Sequence, residues 1–161
     1  MGTTTIKISK TDVFNDVAKT ASYTGAKMVG DDDAYERISI TDQNMELFNS
    51  YWNVAVSLLC DNLKEMIQSI SVNNEAVKPI NGEVLNLTLN VSNSFDISLV
   101  DSIKASIKAF FVEIILGKWF EITNKQEFQA RYNSGVEMLT DALRKLYYRK
   151  APTRPVREQI K

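Results

Sequence analysis

The chain has 161 residues, of which 44% are hydrophobic and 24% charged, with a formal net charge of -1 and no histidine. That length gives one domain able to bury a core without metal or disulfide staples, and the balanced charge excludes a disordered or nucleic-acid-coating composition. The missing histidine removes Ser-His-Asp and Cys-His nucleophile activation, His-ligated metals and imidazole acid-base chemistry and leaves carboxylates, Lys and Tyr; with no Gly-rich phosphate loop and no carboxylate pair marked by its setting, the expectation is no enzymatic activity, no cofactor, no metal and no small-molecule substrate.

Taken in chain order, Thr3 to Ser9 reads TTTIKIS, β-rich and alternating, and suits a short edge strand or an extended arm. From Thr11, a candidate N-cap, Val13, Phe14, Val17, Ala18 and Ala21 recur at helical spacing to about Tyr23, with Gly25 as the expected stop. The acidic run Asp31, Asp32 and Asp33 opens a short helical segment, AYERISI, where carboxylates complement the helix dipole. A calcium loop would need glycine at its sixth position and glutamate at its twelfth, where this chain has Glu36 and Asp42, so a solvated cap is the better reading.

The first long helix is expected from Thr41 or Asp42 to about Ser69. Phe48, Tyr51, Trp52, Ala55, Leu59, Leu63, Met66, Ile67 and Ile70 form one stripe, and Leu47, Val54, Val56 and Leu58 broaden it. Cys60 lies in this zone without an adjacent cation, which reads as a small core residue and not a reactive thiol. As the single cysteine it cannot form an intramolecular disulfide, and the amino-terminal residues lack the apolar core of a signal peptide. A cytoplasmic, reducing compartment follows as the expectation, with no secretion.

Leu85, Leu87, Leu89 and Val91 alternate with Asn86, Thr88 and Asn90, a half-buried strand from Glu83 to about Ser92. Asn81 and Gly82 just before it favour a two-residue turn, which predicts a hairpin with Glu75 to Ile80, spanning about 75–92. Alone such a hairpin is marginal in water. It should lie on the helices, pair with Thr3 to Ser9, or pair with another subunit.

Ser98, with Asp101 three residues on, is the expected cap of a central helix carrying the most apolar stretch, Ala109 to Phe120. Its main face is Val100, Ile103, Ile107, Phe110, Phe111, Ile114 and Trp119; the run is too short to span a bilayer. Glu113 interrupts it, and pairing with Lys118 or Arg131 is its expected role. Thr123 and Asn124 then introduce a last helix bearing Phe128, Tyr132, Val136, Leu139, Leu143, Leu146 and Tyr147, packed antiparallel on the central one, with Gly135 a weak point inside it. The fold class is therefore mainly α: an antiparallel bundle of about four helices, residues 1–148, with an inserted β-hairpin. From Arg144 to Lys161 seven Lys or Arg stand against one acid, Glu158, and Pro152 and Pro155 forbid helix, so 149–161 reads as an extended basic tail.

The apolar helix running into KWFEIT, the polar turn, the long helix with Tyr132 and Leu139, and the tail YYRKAPTRPVRE resemble head-to-tail connector, or neck, proteins of tailed phages and prophages. The resemblance covers Ser98 to Arg157. It implies a structural virion protein, assembled in the host cytoplasm into a homo-oligomeric ring that joins the portal and DNA-filled head to the tail. DNA would touch it only as passing cargo. The residues matching a gripping arm are Arg149, Lys150, Arg154, Pro155 and Arg157, and the hairpin tip at Asn81 and Gly82 would supply subunit or tail contacts. The competing reading is a cytoplasmic helical adaptor or regulator that binds a protein or nucleic acid through the same basic arm.

Overall fold

The computed structural model describes residues 1–28, 30–74 and 83–152. Along them run β1 (Gly2–Ser9), α1 (Lys10–Ala26), α2 (Ala34–Ile38), α3 (Met45–Leu63), β2 (Ile67–Asn74), β3 (Glu83–Val91), α4 (Val100–Thr123) and α5 (Lys125–Tyr147). The fold is mainly helical, with one three-stranded antiparallel sheet in the order β1-β3-β2. β1 is thus an edge strand, and the leucine strand β3 is the centre.

β3 is central because its alternation gives it one strongly apolar face. Leu85, Leu87 and Leu89 stand beside Ile8, Ile6 and Thr4 of β1, and the leucines and both isoleucines are buried. The opposite face is polar, with Thr5 and Thr88 hydroxyls 3.2 Å apart. α1 and α4 lie over β1 and β3. Lys10 stitches the layers together. Its ammonium, nearly buried, donates to Glu83 Oε2 at 2.8 Å and sits 5.8 Å from the Trp52 ring centroid.

The centre of the core is α4. It is apolar around most of its circumference, with Ile103, Ile107, Phe110, Phe111, Ile114, Ile115, Leu116, Trp119 and Phe120 all buried, as a helix covered on several sides requires. α1, α3 and α5 supply that cover. Phe111 stacks on Trp52 of α3 with centroids 4.5 Å apart and meets Phe110 edge-on at 5.5 Å. The Trp119 indole N–H donates to the Ile38 carbonyl at 2.7 Å, which fixes α2 to the end of α4.

α5 runs antiparallel to α4, as the short link demands: Arg131 reaches back to Glu113 (3.2 Å), and Ser106 meets Asp141 (2.7 Å). Gly135 is no mere weak point. A Cβ there would lie 2.8 Å from Ile114 Cδ1, and one at Gly117 would lie 3.4 Å from the Tyr132 amide nitrogen. The two glycines let the backbones of α4 and α5 come close. The buried stripe of α5 is accordingly Gly135, Leu139, Ala142 and Leu146, whereas Val136 and Tyr147, expected inward, are exposed.

Several boundaries differ from the sequence expectation. α3 ends at Leu63, not near Ser69, and Ile67 and Ile70 belong to β2. The Met66 amide bonds back to Leu63 O (2.8 Å) while Met66 O accepts from the Asn90 amide (2.7 Å), so the ladder to β3 begins where the helix stops. The partner strand of β3 is consequently Ile67–Asn74 and not Glu75 to Ile80; those residues, like Asn81 and Gly82, lie outside the described ones. Gly25 sits inside α1, which continues to Ala26 and starts on Ser9, whose Oγ accepts from the Asp12 amide at 3.3 Å. α4 is preceded by a turn capped by Asp96, which accepts from the Ser98 amide at 3.1 Å; Ser98 is not itself the cap.

Candidate interaction surface at the end of the last helix

α5 ends at Tyr147, and the chain after it does not leave the domain at once. The Arg149 backbone forms an antiparallel bridge with Phe95, and the Lys150 amide donates to Ser94 O at 2.9 Å. The receiving turn is itself held: the Phe95 amide bonds to Ser92 O (2.9 Å) and the Ser92 and Ser94 hydroxyls are 3.0 Å apart. Arg149 and Lys150 are therefore held on the domain by their backbones.

Around that point the surface is apolar, aromatic and basic together. Ile97 is 80% exposed, Tyr147 58% and Tyr148 53%. Arg144, Lys145 and Tyr148 line a shallow cleft with Asp96 and Leu99. A second cleft, of about 460 Å³, lies between Tyr147, Leu146 and Arg149 on one side and Met1, Met66 and Val91 on the other. The Asp96 carboxyl is held below the usual range, first by the Ser98 hydroxyl, then by the Ser98 amide, with a weaker pull from the Lys150 charge.

Of the expected arm, Arg149 and Lys150 are on this surface, their backbones pinned to the 94–95 turn. Arg154, Pro155 and Arg157 lie outside the described residues. Docking of Arg149 on Phe95 was not legible in the sequence, because a backbone bridge needs no particular side chain on either partner.

A second cluster has the residue types of a nucleophile site. Lys145 Nζ donates to Ser106 Oγ at 2.9 Å, Ser106 Oγ donates to Asp141 Oδ2 at 2.7 Å, and Lys145 also pairs with Asp141. A Ser-Lys pair works only when the lysine is neutral and can take the hydroxyl proton. Here Lys145 is ion-paired with Asp141, and Ser106 is buried between α4 and α5. The cluster is an interhelical clip. The Asp141 carboxyl is depressed, first by its hydrogen bond to Lys145 and then by that to Ser106. A carboxylate whose folded value is lowered adds stability above its unfolded value, and that stability is lost as pH falls through the folded one. Wild type should therefore exceed Asp141→Asn by no more than about 1 kcal/mol at neutral pH, since the pair is partly exposed and screened by solvent, and the gap should close below pH 3.8. Thermal melts of both proteins across that range provide the check; a gap that persists in acid would show that Asp141 acts through packing.

Elsewhere single groups have structural partners. Asp31 pairs with Arg37 (2.6 Å), and that hydrogen bond is the main cause of its lowered pKa. Glu113 pairs with Arg131, one of its two expected partners. Cys60 is half-buried, and burial, followed by the nearby Asp61 charge, pushes its thiol pKa up, away from reactivity. Among the described residues no group of three or more Cys, Asp or Glu side chains is placed to hold a metal ion. No helix of the described residues is long and apolar enough to cross a membrane.

Comparison of the chain with family models, curated proteins and solved structures finds no match.

Proposed function

We propose that this is a structural protein of a tailed phage or prophage, a head-to-tail connector whose copies form a ring between portal and tail. The observation that carries the reading is the anchored exit of the basic tail. Arg149 and Lys150 are held on the Ser94–Phe95 turn by backbone contacts, close in sequence to the exposed Ile97, Tyr147 and Tyr148. An arm that grips a neighbour gains from such anchoring, because less freedom is lost when it binds. The exposed apolar and aromatic groups beside the exit are the kind that become buried anchors in an interface. The virion neck is the corresponding place of action.

The test is mixing with the portal of the same phage, followed by electron microscopy and light scattering. A ring on the portal is the expected product, and combined neutralisation of Arg149, Lys150, Arg154 and Arg157 should lower its occupancy at least tenfold. A protein that stays monomeric and leaves the portal bare overturns the reading. Neighbouring portal, capsid and tail genes would support it independently.

The second reading, a cytoplasmic adaptor that binds a protein or nucleic acid, is favoured by one feature. Arg144, Arg149 and Lys150 flank Tyr147 and Tyr148, and a basic groove with aromatic platforms suits single strands. Duplex or single-stranded DNA affinity that falls steeply with salt, and disappears in the neutralised variant, would decide for it.

A further inference from the structure

The sheet has two edges, and they are built differently. β1 carries Lys7, which lines the cleft beside Ile8 and Ser9 together with Asp12, Lys104 and Lys108, the last paired with Asp16 at 2.8 Å. Charged side chains at an edge are the usual protection against stray pairing. β2 reads IQSISVNN, eight residues without a charge or a proline, and its one irregularity is a register shift between Ile67 and Ser69. Among the described residues nothing pairs with its outer edge. β2 packs chiefly against β3, and the helices that cover β1 and β3 do not extend over it. As a result Ile70 and Val72, which stand beside Leu87 and Leu85 on the apolar face, are 38% and 58% exposed. The sheet has an apolar ledge and an unguarded ladder on the same strand.

We infer that β2 pairs antiparallel with β2 of a second copy of this chain, about a twofold axis centred on Ser71. Self-pairing follows from charge. The other edge offers lysines, and β2 has no acid to meet them, whereas two copies of β2 bring no charge against another. The register follows from the side chains. With Ser71 opposite Ser71 of the second copy, Ile70 of each copy falls opposite Val72 of the other, and Ser69 falls opposite Asn73 on the polar face. A twofold axis perpendicular to the sheet keeps both apolar faces on the same side, so four β-branched side chains close into one strip between the two helical layers. The product is a continuous six-stranded sheet. A twofold pair closes on itself, while a ring needs head-to-tail contacts, so this interface is separate from the one the connector reading requires.

Light scattering of the purified full chain should give the mass of a dimer, and Ile70→Lys with Val72→Lys should give a monomer with unchanged circular dichroism. Should that pair of substitutions unfold the chain, single cysteines decide. Ser71→Cys places two thiols directly opposite, with Cβ atoms about 4.5–5.5 Å apart, near disulfide reach. It should form a crosslinked dimer under mild oxidation, well above the wild-type baseline set by Cys60, whereas Ser69→Cys should not. A monomeric wild type, a dimer indifferent to lysine at 70 and 72, or equal crosslinking at 69 and 71 would overturn the inference. None of these results bears on portal binding, which the neutralised tail variant reports separately.

Discussion

Phe111→Ala is expected to lower the unfolding free energy by about 3–5 kcal/mol, a large share of what a domain of this size has. The ring is 0% exposed, stacked on Trp52 at 4.5 Å and edge-on to Phe110 at 5.5 Å. Truncation loses the transfer free energy of the ring and leaves a cavity that α3 and α5 cannot both close, because the backbone of α5 is already in near contact with α4 at Gly117 and Gly135. Denaturant unfolding should show a lower midpoint at unchanged slope. Val112→Ala, next in sequence but only partly buried, should cost far less. Equal losses at 111 and 112 would mean that α4 is not the centre of the core.

Gly25→Ala should destabilise by about 1–3 kcal/mol, the cost of overpacking, although the same change inside an exposed helix would stabilise by about 1 kcal/mol. The sign is decided by α2. A Cβ on Gly25 would stand 2.9 Å from Tyr35 Cα and 3.0 Å from Ala34 O, and backbone atoms cannot swing aside as a side-chain end can. α2 would have to move as a unit. Because the Ile38 carbonyl accepts from the Trp119 indole, the movement should also alter tryptophan emission. A more stable Gly25→Ala protein with an unchanged spectrum would show that α1 and α2 do not pack as closely as described.

The connector reading and the fold rest on different parts of the chain. The fold depends on α4 and the two glycines of the α4–α5 contact, whereas the proposed function depends on a short bridge, Phe95 to Arg149, and on the residues beyond it. Substitutions in the first group should remove stability and function together. Those at Arg149 and Lys150 should affect binding alone, since their side chains are exposed.

What the sequence determined by itself is the periodic part. Leucines alternating with Asn and Thr could only make a half-buried strand, and a helix as apolar as Ala109 to Phe120 could only be central, because apolar side chains set both the period and the burial. The antiparallel last helix pair was legible for the same reason, whereas Thr3 to Ser9 suited an edge strand or an arm and Glu113 suited Lys118 or Arg131, choices made only by the pairing with β3 and by the approach of Arg131. Tertiary structure decided the rest. Met66, Ile67 and Ile70 fit the helical stripe of α3 as well as they fit a strand, and the ladder with β3, beginning at Met66 O and Asn90, settled the choice. Gly25 and Gly135 read locally as a stop and a weak point, but their role is set by the Cα of Tyr35 and the side chain of Ile114, residues on other helices. The anchoring of Arg149 is a backbone contact, and backbone contacts leave no mark on the amino acids that make them.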